Sequence, residues 1–459
     1  MTEYSDLKRK RILALLFTGV LMGALDISIV GPAIPSIEKT LSVDEKSLTW
    51  IFSIYILFNL VGISLIARLS DIFGRRLMYM LSIGVFGAGS LYVALSPDIN
   101  SLLIGRAIQG FGASGIFPVA SATVGDIFPA EKRGRVLGLI GMVFGLAFII
   151  GPLMAGILLS YFEWHVLFLI NLPIAVVLII GSYFLLPSEA VSKESKIDWW
   201  GILFLGLFLA GFSIGINKIE IDYFITSIFS TQVLPYFVVA FISLLLFVLV
   251  ERKAKVPIVK LGLFKAKQVR IVGFLALGTG LYQASFVFIP DMTVDAFGVE
   301  ANIASFMLLP VVVAIAIGSP ISGRMIDKYG SKIIINIALI LMTAGLIILH
   351  LLKDQYFVYY TSGILLGLGL SVLAGSSLRY IMLNEVSAEE RAITQGVLTI
   401  FISIGQLVGA ALIGAITTSY AGSLKGYKQS FLFLAVISVT LFVSSLWLKR
   451  KEDELKASS

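Results

Sequence analysis

The chain has 459 residues, of which 58% are hydrophobic and only 14% charged, against about 25% charged in ordinary soluble domains. No soluble core of this size buries so much apolar surface, so a water-soluble globular class is excluded. The net charge is +7, with no cysteine and two histidines, His165 and His350; that excludes disulfides and thiolate chemistry and argues against a bound metal or other cofactor. The cations fall in short clusters between apolar runs, not on one face that would hold nucleic acid.

A bilayer crossing needs about 20 mostly apolar residues. Fourteen runs qualify, near 12–34, 48–68, 77–95, 101–124, 136–160, 165–186, 199–217, 232–250, 270–290, 302–322, 333–351, 356–378, 393–420 and 430–448. The first is no cleavable signal: its apolar stretch is too long and thirteen runs follow. It also carries Asp26 about halfway along. A carboxylate at that depth costs roughly 2.5–3.5 kcal/mol on insertion scales. It is expected to face a water-filled cavity or a buried partner, which is transport chemistry.

The fourth run holds Arg106 and Gln109 among glycines 105, 110, 112 and 115. A short intrusion from the outer surface allows Arg106 to snorkel. The small, partly polar helix equally allows it to turn inward, where it would partner Asp26. The fifth run contains Gly145, Gly151, Pro152 and Gly156. Pro152 removes a helix hydrogen bond and is expected to kink the helix, and the glycines admit a close neighbour. Packing and hinge readings both remain open there. Asn59, Gln283, Asn336, Gln395 and Gln406 could line a cavity or join helices by hydrogen bonds. Arg379 is read as lying near the inner end of the twelfth run, where it would snorkel.

The loops give an orientation. Lys8 to Arg11, Arg68 with Arg75 and Arg76, Lys132 with Arg133 and Arg135, Arg252 through Arg270, Arg324 with Lys328 and Lys332, and Lys449 to Lys451 all fall on one side. The opposite loops carry Glu38, Asp44, Glu45, Asp98, Glu220, Asp222, Asp291, Asp295 and Glu300, with Lys425 and Lys428 as exceptions. The positive-inside rule then places both termini in the cytoplasm of a multi-pass plasma-membrane protein.

The sequence also repeats itself. Arg68 to Arg75 lines up with Arg324 to Ser331, and Asp126 to Arg133 lines up with Asn384 to Arg391 at nearly the same offset. Two six-span halves in parallel orientation are expected, within 1–186 and 257–459, with two additional spans in the segment 187–256. Between the second and third runs, Asp71 could accept hydrogen bonds from a helix N-terminus and pair with Arg75 or Arg76, while Gly74 permits a positive φ. Such a cluster can hold one conformation and release another. The repeat adds Arg324, Asp327 and Gly330 to these candidates, and Asp126 heads the second match.

These motifs resemble the major facilitator superfamily, and within it the fourteen-span drug:proton antiporters, along essentially the whole chain. Arg68 to Arg76 is similar to the signature loop between spans two and three, with Ala67 in place of its first glycine. Arg106 to Gly112 is similar to the fourth-span Arg-x-x-Gln-Gly-x-Gly motif. Gly151, Pro152 and Gly156 resemble the fifth-span antiporter motif, with Ala147 and Ala155 in place of glycines. Leu25 to Pro35 resembles the first-span motif, with Ser28 for Thr and Gly31 for Asn. The resemblance implies an all-α fold that works by alternating access. It implies Asp26 as a cavity carboxylate that carries the proton, Arg106 as its tuning neighbour, and Asp71, Arg75 and Arg76 as a cytoplasmic latch. It places Gly151 and Pro152 between the halves, and it implies a monomer.

No nucleotide-binding motif or soluble module is evident, which argues against an ATP-driven pump, an enzyme or a receptor. Proton-driven export of amphipathic small molecules is the expectation. A carrier of a metabolite or lipid-like compound is the alternative. An anion carrier is disfavoured because Arg106 alone reads as a cation inside a span.

Overall fold

A computed structural model of the protein describes residues 5–41, 43, 45–187, 198–220, 223–254, 261–286, 288–299, 301–352, 355–387, 390–420 and 423–457. Residues 188–197 and 255–260, on either side of the two additional spans, and the loop charges Asp44, Asp222 and Glu300 lie outside the described residues. So do the side chains of Glu45, Asp291 and Pro152.

Helices are the regular secondary structure of the described residues. Long helices come first: α1 (Asp6–Leu41), α2 (Glu45–Phe73), α3 (Arg75–Ala94), α4 (Ile99–Ile127) and α5 (Ala130–Leu159). There follow α6 (His165–Leu169), α7 (Asn171–Leu185), α8 (Trp199–Asn217), α9 (Phe224–Ile228) and α10 (Leu234–Lys253). The remainder comprises α11 (Lys267–Ser285), α12 (Ile289–Phe297), α13 (Ala301–Phe306), α14 (Leu309–Tyr329), α15 (Ser331–Leu351), α16 (Tyr356–Leu370), a π-helical segment (Ser371–Ser377), α17 (Leu378–Asn384), α18 (Arg391–Thr418), α19 (Leu424–Ser445) and α20 (Lys451–Ala457).

Twelve helices among the described residues are long and apolar enough to cross a membrane, fewer than the fourteen runs expected. The other two runs, 136–160 and 270–290, fall on α5 and α11, which are not among the twelve. The polar start of α11, with Lys267, Gln268 and Arg270, lowers its hydropathy. Outward faces are apolar: Val177, Phe184, Phe241, Ile242 and Leu249 are all more than half exposed or close to it. That surface suits acyl chains.

Several boundaries differ from the expected runs. Arg68 and Asp71 belong to the last turns of α2, so the anticipated loop shrinks to Gly74, which stands at φ 92° before α3. The ninth run ends early at Ser285 and a new helix starts beside Pro290. The tenth restarts at Leu309, next to Pro310. Proline lacks the N–H that would continue the preceding helix and is well placed in a first turn. The twelfth run extends past 378, through the π segment, to Asn384. The α5 helix continues through Pro152.

Packing joins the two ends of the chain. α5 lies on α14 and α2 lies on α18, while α8 pairs with α10 and also touches α2 and α18. Glycines of α5 set the first contact. A Cβ on Gly138 would come within 2.4 Å of the Ser319 carbonyl, and one on Gly145 within 2.8 Å of the Ala316 backbone. Small residues at this spacing let two helix backbones touch.

Candidate functional site

The site begins with α4. A Cβ on Gly110 would strike the Tyr55 carbonyl at 2.2 Å, and one on Gly112 the Phe86 nitrogen at 2.3 Å. These glycines therefore draw α2 and α3 onto α4, and the polar residues between them are enclosed. Gly89 of α3 does the same beside Gln109, where a Cβ would meet the backbone nitrogen at 2.5 Å.

Asp26, Arg106 and Gln109 meet in that enclosure, each with no exposed surface. Arg106 Nη1 donates to Asp26 Oδ2 at 2.6 Å. Gln109 Nε2 donates to Asp26 Oδ1 at 2.9 Å and to Ser90 Oγ at 2.7 Å. Asn171 Nδ2 supplies a third donor to the carboxylate, 3.0 Å from Oδ1. Arg106 also donates to the Gln109 side-chain oxygen (2.8 Å) and the Ile51 carbonyl (3.2 Å), and lies 4.3 Å from the Tyr55 ring centroid. The guanidinium does not snorkel. Both carboxylate oxygens accept from side-chain donors.

Asn171 and Ser90 were missed in the sequence. Asn171 opens α7, where the sixth run is divided after Ile170. Pro173, two residues on, cannot donate to the Leu169 carbonyl, which explains the division. An amide beside a proline inside an apolar run was the available signal.

The second constellation lies where α2 ends and α18 begins. Arg75 bridges Asp71 and Asp126, with its Nε 2.9 Å from Asp126 Oδ2. Arg391 Nη1 donates to Asp126 Oδ1 at 2.8 Å. Asp71 also accepts from the backbone nitrogens of Ala392 (3.4 Å) and Ile393 (3.2 Å). The repeat is reproduced in space. Asp327 accepts from the Gly134 and Arg135 nitrogens at 2.9 and 2.8 Å. Arg133 Nη1 donates to Asn384 Oδ1 at 2.7 Å. Gly330, at φ 86°, matches Gly74. Arg133, Asn384 and Arg391 were not singled out, although the repeat contained all three.

Other expected members fall elsewhere. Arg76 donates to the Leu186 carbonyl at 2.8 Å, closing the end of α7, and does not join this cluster. Arg68 is buried, and Arg324 is exposed. Gly151 packs against α1: a Cβ there would meet Ser28 Oγ. Six residues beyond Gly145 turn a helix by about 240°, onto another face. Gly156 is exposed, and a Cβ there would meet no described atom within 4 Å.

Of the candidate lining residues, Asn59 donates to the Gly110 carbonyl at 3.4 Å, and Gln406 donates to the Gln283 side-chain oxygen at 2.8 Å. Gln395 bonds Arg379, which is buried and does not snorkel; the extension of its helix to Asn384 places it deeper than expected.

Apolar helices of spanning length around an enclosed ion pair mark a multi-pass membrane protein with polar machinery inside its bundle. The Major Facilitator Superfamily model matches residues 16–312 and 271–459. The chain belongs to that superfamily and is a multi-pass protein of the plasma membrane. It is 30% identical over 413 residues to Multidrug resistance protein 3 of Bacillus subtilis, covering 88% of this chain and 78% of that one. Multidrug transporter protein MdtP of the same organism is 28% identical, with coverage of 92% and 78%. A Triacylglyceride transporter of Mycolicibacterium smegmatis is 29% identical, with coverage of 86% and 73%. Among solved structures, the human organic anion transporter MFSD10 superposes with a TM-score of 0.73 at 14% identity, covering 96% of this chain and 100% of that one; this likeness is one of fold.

Proposed function

We propose that the chain is a fourteen-span drug:proton antiporter that exports amphipathic small molecules across the plasma membrane by alternating access. The observation that carries this reading is the Asp26 carboxylate, held by Arg106, Gln109 and Asn171 with no surface exposed. Protonating Asp26 would leave Arg106 buried without its counter-charge, a state that favours rearrangement. Proton occupancy and helix packing are thereby coupled, which is what an exchanger requires. A membrane potential adds roughly 2.3 kcal/mol per 100 mV for each charge moved. The names of two relatives support a multidrug cargo.

In this reading the protein is a monomer with both termini cytoplasmic. Halves 1–186 and 257–459 rock about the Asp26 region, and the segment 187–256 supplies the two further spans. The Asp71–Arg75–Asp126–Arg391 cluster closes the cytoplasmic gate. The test is substrate-driven proton movement in vesicles carrying Asp26→Asn. Antiport is expected to vanish; full retention would remove Asp26 as the carrier.

A second reading, carriage of a metabolite or lipid-like compound, draws on the relative named as a triacylglyceride transporter. Direct transport of a radiolabelled panel containing sugars, organic acids and lipids separates the two.

A further inference from the structure

Arg379 is an enclosed cation held by two long side-chain contacts. It lies in α17, two residues past the π-helical segment, with 4% of its surface exposed. Arg106 has Asp26, Arg75 has Asp71 and Asp126, and Arg391 has Asp126. No carboxylate is bonded to Arg379 among the described residues. Its Nη1 donates to Gln395 Oε1 at 3.3 Å and its Nη2 to Thr399 Oγ1 at 3.4 Å. Charge-assisted bonds are normally about 2.7–2.9 Å long, so both contacts are weak. Nε has no partner.

The surroundings are shaped to hold this cation. Gln395 Nε2 donates back to the Arg379 carbonyl at 3.1 Å, which turns its amide oxygen toward the guanidinium. The guanidinium carbon sits 3.9 Å from the Phe117 ring centroid of α4. Phe117 and Thr399 both retain partial exposure. Two turns along α18 from Thr399, on the same stripe, Gln406 is exposed and bonds Gln283. Gln406 and Thr399 thus mark one stripe of α18 that leads toward the buried guanidinium. An unpaired charge inside a membrane protein is costly, and such residues mark substrate pathways. π-helical turns also concentrate at functional sites.

We propose that Arg379 receives the carboxylate of an amphipathic monocarboxylic cargo, whose apolar body lies along Phe117. The carboxylate accepts from the Nε and Nη2 edge, displacing the long contact to Thr399 and leaving Gln395 in place. This rests on the reading of the chain as a carrier of amphipathic molecules and narrows the cargo.

The test is equilibrium binding to the purified full-length chain in detergent. The probes are 1-pyrenebutyrate and 1-pyrenebutanol, which share a body and differ in charge, followed by energy transfer from the five tryptophans. The wild type is expected to bind the acid roughly tenfold more tightly than the alcohol, and Arg379→Gln to bring the two within about twofold. Gln395→Glu supplies an internal carboxylate and keeps the cation paired, so it decides the matter if Arg379→Gln does not fold. It is expected to abolish the preference too. Equal binding of acid and alcohol by the wild type, or a preference that survives in a folded variant, overturns the proposal. Displacement of pyrenebutyrate by phosphatidylglycerol but not by octanoate assigns the site to a lipid headgroup and overturns it as well. Binding needs no proton gradient. A preference without proton-coupled flux would refute the exporter alone, and flux without a preference would refute this site alone.

Discussion

Three donors converge on the Asp26 carboxylate, and each comes from a position that polar residues seldom occupy in a span. Asn171→Ala removes one of them and deprives Ser90 of a partner as well. We expect it to destabilise the detergent-solubilised protein by roughly 1–3 kcal/mol, the usual cost of an unmet buried polar group. Thermal unfolding would register this, and an unchanged midpoint would show that the amide is dispensable. Asp26, Arg106 and Gln109 were legible because charged or amide groups stand out against an apolar run. Whether Arg106 faced inward was not, since that depends on helix rotation and on which glycines draw neighbours close. The depth of Arg379 was misjudged for a related reason: a π turn adds no compositional signature, so the end of the helix was placed before it.

At the level of elements, α5 is defined by what its glycines touch. Gly145→Val would drive a side chain into the Ala316 backbone, where even a Cβ comes within 2.8 Å. Overpacking of this kind typically costs about 1–3 kcal/mol. The expected result is a population shift toward the state in which α5 and α14 separate. Because the native chain has no cysteine, a pair of introduced thiol labels on these helices can report that shift by distance measurement; an unaltered distribution would count against the contact as a pivot. Gly156→Val, facing open space, serves as the silent control. At the chain's end, α20 docks through Glu454, which accepts from the Ser331 hydroxyl and, at 3.3 Å, from the Ser331 nitrogen. Burial raises the Glu454 pKa above its ordinary value, partly opposed by these hydrogen bonds. The docked state then holds the proton more tightly than the free tail. Docking is strongest below the ordinary carboxylate pKa and weakens as pH rises through the docked value. Hydrogen exchange across 451–457 should therefore be faster, after correction for intrinsic rates, at pH 8 than at pH 5. Glu454→Gln should lose this dependence. Equal protection at both pH values in the wild type would exclude the linkage.

Across the whole molecule, the internal repeat proved the most informative part of the sequence. It placed Asp71 and Asp327 in equivalent positions, and each aspartate accepts from backbone nitrogens near the start of a helix in the opposite part of the chain. Helix counts were harder to read, because short helices such as α6, α12 and α13 arise where prolines interrupt long apolar stretches. Loss of the Asp126 bridge should weaken closure of this end. For Asp126→Asn we expect about 1–3 kcal/mol in favour of the open arrangement, seen as faster labelling of a thiol placed at Ala392. Labelling at the wild-type rate would argue that the backbone contacts suffice without it.

The two sides of the proposed gate are not chemically equal. Arg391 grips an acid, Asp126, whereas Arg133 grips an uncharged amide, Asn384. Dissolved ions shield the first grip and leave the second nearly untouched. In the proposed cycle, halves so fastened should peel apart from the amide side at low ionic strength and lose that directional bias as electrolyte is added. Replacing Asn384 with Asp would make the fastening even-handed, and the cycle should slow because both corners must then be pulled free of opposite charge.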